Sequence, residues 1–204
     1  MAISNIDKSR YRLVVFLALL AIVLQVAHNV GPVDLALSRD WLAQRQWWQP
    51  LTGHWVHGNA VHLLLNLVAL AIISELFAED MPGIDLARHL LALVVGVGLV
   101  LPFFLKTQAY LGLSAVLHGL FVAGAWRVLQ RRRGFGLLLL AALGVKLLAE
   151  QILPADGLSA RWIDMPVATE SHGVGAAVGA VLALLGQLRR AVQSATVRKD
   201  RSSE

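Results

Sequence analysis

Two polar residues stand where apolar helices are predicted to begin: Ser114 in YLGLSAVLHGLF and His172 in SHGVGAAVG. A serine hydroxyl becomes a good nucleophile only when a neighbouring base takes its proton, and histidine is the most common such base. Gly112 precedes the serine, and glycine allows a tight turn that lifts the hydroxyl into open space. Taken alone, Ser114 is more simply explained as a helix N-cap, worth about 1 kcal/mol. The nucleophile hypothesis therefore depends on whether His172 can reach it.

The helix that follows His172 carries glycines on one face. Gly175 and Gly179 lie three and seven residues after the histidine, a spacing that puts all three on one side of a helix. Ala115 and Gly119 offer a matching smooth face on the serine helix. Because small residues let two membrane helices approach closely, we expect these helices to pack together and to bring the serine and the histidine into contact.

A third polar group lies in the stretch HWVHGNAVHLLLN. His62 and Asn66 are four residues apart, so they share a helix face, and both side chains can donate hydrogen bonds. Polar residues inside a membrane are expensive and are functional candidates by default. If this face meets Ser114, the two side chains would hold the oxyanion that forms when serine attacks a carbonyl, worth roughly 3 to 4 kcal/mol per donor. The alternative is interhelical hydrogen bonding, worth about 0.6 to 2 kcal/mol.

The same stretch also raises the question of a metal site. His54, His57 and His62 are potential ligands, but the zinc-protease helix pattern of two histidines flanking a glutamate is absent. The chain has no cysteine, which excludes disulfides and thiolate metal sites. We therefore predict no metal and no cofactor, and keep a histidine-rich metal or haem membrane protein as an alternative.

Composition indicates a membrane protein. The 204 residues are 57% hydrophobic, and the mean hydropathy is positive. We expect an all-α polytopic fold with one membrane domain over residues 1–190, followed by a polar, disordered tail at 191–204. A bilayer crossing takes about 20 residues, and this length predicts six spans. They are approximately 13–29, 59–77, 86–105, 114–129, 135–153 and 171–188.

Charge predicts how these spans are oriented. Basic residues cluster before the first span, after the fourth and after the sixth, which predicts that both termini are cytoplasmic. The acidic stretch 79–85 departs from this pattern, but acidic residues count for little in the rule. Ser114 and His172 then both begin spans that run from outside to inside, near the outer face. The net charge of +5 lies in these clusters and not in a nucleic-acid motif, so we predict no nucleic-acid partner.

The sequence also contains two loops that are predicted on the outer side and one charged pair in a predicted span. The tryptophan-rich loop 30–58 is expected at the outer interface between lipid and water. The loop 154–170, which carries Asp156, Gly157 and Pro166, is interpreted as a mobile, solvated cap over the site. Lys146 and Glu150 are four residues apart on the fifth span and most simply neutralise each other, with recognition of a substrate's tail as the alternative.

The motifs HGNAVHLLLN, GLSA and HGVGAAVG, in this order, resemble those of the rhomboid intramembrane serine proteases. The resemblance implies a six-helix rhomboid fold and a dyad without a third acidic member. It implies Ser114 as nucleophile, His172 as general base, and the Ser114 N–H with His62 and Asn66 as the oxyanion site. His57 matches a structural position in the loop. Two positions depart from the family.

Ala115 replaces the glycine that usually follows the serine, and His118 stands where many bacterial members have a tyrosine that packs on the catalytic histidine. The string GLSAVLHGLF with WWQPLTGHWVH is more similar to the rhombosortase branch. This implies exported substrates anchored by a C-terminal Gly-Gly segment, a transmembrane helix and a basic tail, which enter from the lipid between the second and fifth spans. It also implies a bacterial inner membrane, with the site facing the periplasm.

Two other functions of the chain remain open: a general rhomboid protease for single-span proteins, and a rhomboid-like protein that binds membrane clients without cutting them.

His118 is expected either to orient His172 or tune its protonation, or only to pack against it. The oligomeric state is not predicted.

Overall fold

The computed structural model describes residues 7–152, 158–164 and 166–201. Helices account for most of this chain: α1 Lys8–Val30, α2 Gln49–Thr52, α3 Ala60–Leu76, α4 Gly83–Val100, α5 Ser114–Arg131, α6 Arg133–Ile152, α7 Leu158–Ile163 and α8 Thr169–Arg201. A 3-10 turn, Leu101–Phe103, extends α4. Two short strands, β1 Leu37–Ser38 and β2 Ala109–Tyr110, pair antiparallel with Leu37 opposite Tyr110. The predominantly helical prediction is confirmed.

Within the described residues, four helices are long and apolar enough to cross a membrane. They are Lys8–Val30, Gly83–Phe103, Arg133–Ile152 and the segment Thr169–Ser194 of α8. The apolar helix α3 is shorter, at 17 residues. The protein is therefore an integral membrane protein.

Helix α5 forms the centre of the bundle. It contacts α3, α4, α6 and α8, and Val116, Leu120 and Val128 along its length are completely buried. A helix with buried residues on every face belongs in the core, because each face needs an apolar partner. Since α5 begins at Ser114, the bundle holds the serine from several sides. The end of the bundle that carries Ser114 is called the serine end below, and the other end the far end.

Glycines bring α8 against α5. A methyl group added at Gly175 would lie 1.9 Å from the carbonyl oxygen of Ala115, and one added at Gly179 would lie 2.3 Å from that of Gly119. Both distances are far below van der Waals contact, so only glycine fits at these two positions while the helices keep this separation. The two helices run in the same direction, and α8 therefore presents its first turn beside the first turn of α5.

Helix α8 continues past the predicted end of the last span. It runs to Arg201, so residues 191–201, predicted to be disordered from their polarity, are helical in the structure. No glycine or proline follows Gly186, and the sequence LRRAVQSATVRKDR contains many good helix formers. Residues 202–204 lie outside the described chain.

Ion pairs join the helices at the far end. The carboxylate of Asp80 is fully buried and accepts hydrogen bonds from Arg131 at 3.0 Å and Arg132 at 3.1 Å. Arg127 donates to Asp85 at 2.8 Å. The acidic stretch 79–85 thus pairs with the basic cluster at the end of α5. This pairing explains how acidic residues are accommodated in that loop.

The segment between α1 and α3 packs on the serine end. Gln49, His54 and Val56 are fully buried, whereas Trp47 and Trp48 are exposed. The Nε2–H of His54 donates to the carbonyl oxygen of Val94 in α4 at 3.1 Å, and burial lowers the pKa of His54 to about 4. The segment is therefore a packed part of the fold that carries exposed tryptophans on its outer side.

Candidate active site

Ser114 is the first residue of α5, directly after a glycine turn. Leu113 occupies the N-cap position and no side chain caps the helix, so the serine hydroxyl is not used as a cap. Gly112 has φ +121°, a conformation that side chains rarely tolerate, and its N–H donates to the carbonyl oxygen of Gly53 at 3.0 Å. The hydroxyl of Tyr110 lies 3.4 Å from the Ser114 Oγ. The turn therefore leaves the Ser114 hydroxyl free to meet other helices.

The structure brings His172 to Ser114. The Nε2 atom of His172 lies 3.1 Å from the Ser114 Oγ, within hydrogen-bond distance. His172 is 6% exposed and stands in the first turn of α8. The glycine contacts between α5 and α8 set this distance, because they fix the two first turns side by side. A serine hydroxyl facing an imidazole nitrogen is the arrangement that nucleophilic catalysis requires.

A carboxylate lies on the other side of His172. Glu150 Oε2 is 2.9 Å from the His172 Nδ1, and its second oxygen, Oε1, contacts the Lys146 ammonium. The pairing of Lys146 with Glu150 follows the predicted spacing, but the contact of Glu150 with His172 was not predicted from the sequence. Two charged residues inside a predicted span were the signal, since such residues are functional candidates by default.

His118 stacks on His172 and contacts the start of its own helix. The two rings have centroids 4.1 Å apart and planes inclined by 15°. The His118 Nδ1 lies 2.7 Å from the Ser114 carbonyl oxygen, and its Nε2 lies 2.9 Å from the Lys146 ammonium. His118 therefore holds its ring parallel to that of His172 through contacts at both nitrogens.

The oxyanion candidates flank Ser114 but do not touch it. Asn66 is 5% exposed, and its Nδ2 donates to the carbonyl oxygen of His62 at 3.0 Å. The His62 ring lies against Gly112, where an added methyl group would come within 2.9 Å of its Cε1 and Nε2. Within the described chain, no hydrogen bond joins either side chain to Ser114. Asn66 and His62 border Ser114 from two different cavities.

His57, in the segment between α1 and α3, supports this arrangement. Its ring meets the ring of His62 edge to face, with centroids 4.9 Å apart and planes at 87°. Burial, and secondly the neighbouring His62, lower the pKa of His57 to about 3. A neutral His57 ring thus packs behind His62, consistent with a structural position.

Two cavities meet at Ser114. The larger one, about 430 Å³, is almost entirely apolar and lies between α3, α5 and α6, bordered by Asn66, Ile73, Leu117 and Leu143. The smaller one, about 180 Å³, lies among the loops at the serine end and is bordered by His62, Tyr110, Ile163 and Val167. Ser114 borders both. The larger cavity suits an apolar chain, and the smaller one lies between Ser114 and the loops at the serine end.

The described parts of the predicted cap contact the serine end. The Asn59 side chain donates to the carbonyl oxygen of Ile163 in α7, and Glu170 accepts from the Lys106 N–H at 3.0 Å. Pro166 borders the smaller cavity. Asp156 and Gly157, predicted to belong to the cap, lie outside the described residues.

One cluster in the described chain has metal-ligand composition. His118, Glu150 and His172 offer ligand atoms within 4.8 Å of one another. Imidazole binds a metal in its ring plane at about 2.0 to 2.1 Å, and two stacked rings cannot both direct their lone pairs at one ion. The Lys146 ammonium also contacts His118 and Glu150, where a cation would have to bind. The arrangement does not fit a metal, and His54, predicted as a potential ligand, is turned away towards α4.

A comparison with protein families finds a match to the Rhomboid domain over residues 44–189, well over half of the chain. The matched range contains the positions of Ser114, His172, His62, Asn66 and Glu150. It confirms the family-level resemblance of the motifs. Membership of the rhombosortase branch remains a prediction. No individual curated protein matches the chain.

Proposed function

Because the chain belongs to the rhomboid family of intramembrane proteases, we propose that it hydrolyses peptide bonds of membrane-anchored proteins, with Ser114 as nucleophile and His172 as general base. The observation that carries the proposal is the 3.1 Å contact between the Ser114 Oγ and the His172 Nε2. A rhomboid-like protein that only binds clients has no need of a base beside this serine, so the contact favours the protease.

The proposed reaction follows from the two groups. His172 takes the proton of the Ser114 hydroxyl as the Oγ attacks the substrate carbonyl, giving a tetrahedral intermediate and an imidazolium. The imidazolium then donates this proton to the leaving amine as the peptide C–N bond breaks, leaving an acyl-enzyme. Water reaching the serine through the smaller cavity loses a proton to His172 as it attacks the acyl carbonyl. The imidazolium returns this proton to the Ser114 Oγ as the C–Oγ bond breaks and the acyl group leaves as a carboxylic acid. No cofactor takes part.

We assign the oxyanion site to the Ser114 N–H, Asn66 and His62. The first N–H groups of a helix have no intrahelical partner, so that of Ser114 is available to a substrate oxygen. Asn66 uses one Nδ2 proton on the His62 carbonyl oxygen and has a second one to offer. Supporting positions are Gly112, which makes room for His62, and Gly175 and Gly179, which set the distance between the helices.

The proposal includes six spans, with α3 and α5 as the second and fourth. At 1.5 Å per residue, the 17 residues of α3 reach about 26 Å, close to the hydrocarbon thickness of about 27 to 30 Å. The described arginines of the basic clusters, including Arg10, Arg127 and Arg190, lie on the far end, which supports cytoplasmic termini. We accordingly propose a membrane domain over residues 1–190 in a bacterial inner membrane, with Ser114 facing the periplasmic side.

For the substrate, we propose exported proteins with a Gly-Gly segment, a C-terminal transmembrane helix and a short basic tail. The apolar cavity between α3, α5 and α6 borders Ser114, which supports entry of a lipid-embedded helix between α3 and α6. A helix hides its peptide bonds in internal hydrogen bonds, and each glycine weakens it by about 1 kcal/mol relative to alanine, so a Gly-Gly segment unwinds readily at the serine. The similarity of GLSAVLHGLF to rhombosortases adds support.

The test is a reporter carrying such a tail, co-expressed with the wild-type protein or with Ser114→Ala. We expect a released fragment only with the wild type, and mass spectrometry of its new C-terminus locates the cut. A matched reporter with Leu-Leu in place of Gly-Gly should stay intact. If Gly-Gly tails stay intact while a generic single-span substrate is cut, the rhombosortase assignment is wrong and the general rhomboid protease is correct.

A further inference from the structure

Five polar contacts form a closed ring that begins and ends on Ser114. The Ser114 Oγ contacts His172, His172 contacts Glu150, Glu150 contacts Lys146, Lys146 contacts His118, and His118 contacts the Ser114 carbonyl oxygen. We call these five residues the polar ring. It joins α5, α6 and α8, so each of the three helices around the serine supplies at least one member.

The hydrogen-bond partners of His118 and His172 determine which nitrogen of each ring carries the proton. A lysine ammonium only donates, so the His118 Nε2 accepts from Lys146 and the His118 Nδ1–H donates to the Ser114 carbonyl oxygen. A carboxylate only accepts, so the His172 Nδ1–H donates to Glu150. The His172 Nε2 is then left as an acceptor facing the Ser114 hydroxyl. One assignment of protons therefore gives every contact in the polar ring a donor and an acceptor.

Burial distinguishes the contact between Glu150 and His172 from a surface ion pair. Glu150 and Lys146 lie in the apolar helix α6, where a lone charge is costly. Lys146 compensates the charge of Glu150 through one carboxylate oxygen, which leaves the other oxygen for His172. Glu150 is 22% exposed at its side chain, and His172 only 7%. The carboxylate therefore faces the imidazole in surroundings largely shielded from water, where such a contact is strong.

We propose that Glu150 is a positioning residue that orients His172 for catalysis, so that the reaction uses a Ser–His–Glu arrangement held in place by Lys146 and His118. The proposal rests on the proposed function of Ser114 and His172. Glu150 keeps the proton of His172 on Nδ1, so the Nε2 lone pair stays directed at the serine. When Nε2 takes the serine proton, the carboxylate stabilises the imidazolium without itself being protonated.

The test compares Glu150→Gln with the wild type in cleavage kinetics and in the rate of labelling by a fluorophosphonate probe. Glutamine has the same shape but can donate its amide N–H to the His172 Nδ1, which moves the imidazole proton to Nε2, the wrong nitrogen. We expect kcat and the labelling rate to fall at least tenfold with KM nearly unchanged. Glu150→Asp, which keeps the carboxylate, should recover part of the rate.

The matched control is Glu75→Gln. Glu75 also lies on an apolar helix and pairs with a cation, Arg10, at 3.0 Å, but at the far end. This variant should lower thermal stability without changing the labelling rate per folded molecule. If Glu150→Gln does not fold because the Lys146 charge has lost its carboxylate partner, Lys146→Met/Glu150→Gln removes both charges and should fold with a low labelling rate.

The outcomes separate this inference from the proposed function. If the wild type itself neither cleaves nor labels at Ser114, the proposed function has failed. If the wild type labels and folded Glu150→Gln, or the folded double variant, labels within twofold of it, the proposed function stands and the role of Glu150 is wrong. A tenfold loss of kcat in the folded variant, with partial recovery in Glu150→Asp, supports it.

Discussion

The imidazole rings of His118 and His172 are stacked in parallel, with centroids 4.1 Å apart. One ring belongs to the helix of the serine, and the other carries the nitrogen that faces the serine hydroxyl. Packing between α5 and α8 therefore acts directly on the orientation of the proposed base. Two contributions combine at this contact: the ring face that His118 offers, and the hydrogen bonds that fix that ring.

Substitution of His118 separates these contributions. His118→Phe keeps an aromatic face for His172 but loses the contacts with Lys146 and the Ser114 carbonyl oxygen. Because a hydrogen bond contributes about 1 kcal/mol, we expect kcat to fall roughly five- to tenfold in the Phe variant, and further in His118→Ala. Steady-state kinetics on folded protein measures both. Turnover of His118→Phe at the wild-type rate would mean that His118 serves only in packing.

Asn66→Ala tests the oxyanion assignment. If the Asn66 amide acts mainly on the transition state, kcat should fall roughly 100-fold with little change in KM. The matched control is Ser74→Ala, because Ser74 is also buried on α3 and donates to the carbonyl oxygen four residues earlier, at 2.6 Å. Ser74→Ala should lower thermal stability and leave kcat per folded molecule unchanged. A loss in Asn66→Ala that is likewise confined to thermal stability favours interhelical hydrogen bonding.

The glycine contact between α5 and α8 predicts a sharp positional effect. Gly175→Ala places a methyl group 1.9 Å from the Ala115 carbonyl oxygen, so the helices must separate and His172 must move from Ser114. We expect a loss of activity together with a destabilisation of about 1 to 3 kcal/mol. Gly173→Ala, on the same helix, meets nothing within 4 Å and should be stabilised by up to about 1 kcal/mol. Equal effects of the two variants on thermal unfolding and activity would contradict the role given to this contact.

Acid should destabilise the protein through His54 and His57. Their pKa values, lowered by burial to about 4 and about 3, lie below the ordinary value of 6.5. Between these values the unfolded chain binds more protons than the folded one. The stability is thus fully present above about pH 6.5 and is lost as the pH falls, with a slope approaching about 1.4 kcal/mol per pH unit for each histidine.

Thermal unfolding at about pH 7.5 and about pH 5.5 measures this loss. His54→Gln is the informative variant, since a glutamine amide can still donate to the Val94 carbonyl oxygen but does not titrate. It should lose less stability than the wild type between the two pH values. The same pH dependence in both proteins would show that His54 does not carry the effect.

The sequence predicted the parts of the site that depend on local pattern. Ser114 and His172 stand at helix starts, and the glycine spacing after His172 is enough to expect two closely packed helices. Glu150 was different, because its partner depends on how α6 is rotated about its axis. That rotation is set by packing across three helices and leaves no local pattern. Two charges inside a predicted span were a general signal of function. They did not indicate His172 as a partner, because the pair with Lys146 already explained both charges.

The structure also continues α8 past the predicted end of the last span, to Arg201. Polarity predicts that residues 191–201 do not pack into a core, but it does not decide whether they stay helical. A long helix that starts in the bundle can continue through LRRAVQSATVRKDR without a new nucleation step. The four helices with strong hydropathy were clear from composition. Helix α5, which lies in the centre and carries the serine, is the one whose place in the fold depends most on its neighbours.

Covalent labelling of purified protein by a fluorophosphonate probe tests most directly whether Ser114 is a nucleophile activated by His172. Intact mass and peptide mapping should show one adduct on Ser114 in the wild type. Labelling should be absent in Ser114→Ala and strongly reduced in His172→Ala, with both variants folded by thermal unfolding. Undiminished labelling of Ser114→Ala would contradict the account.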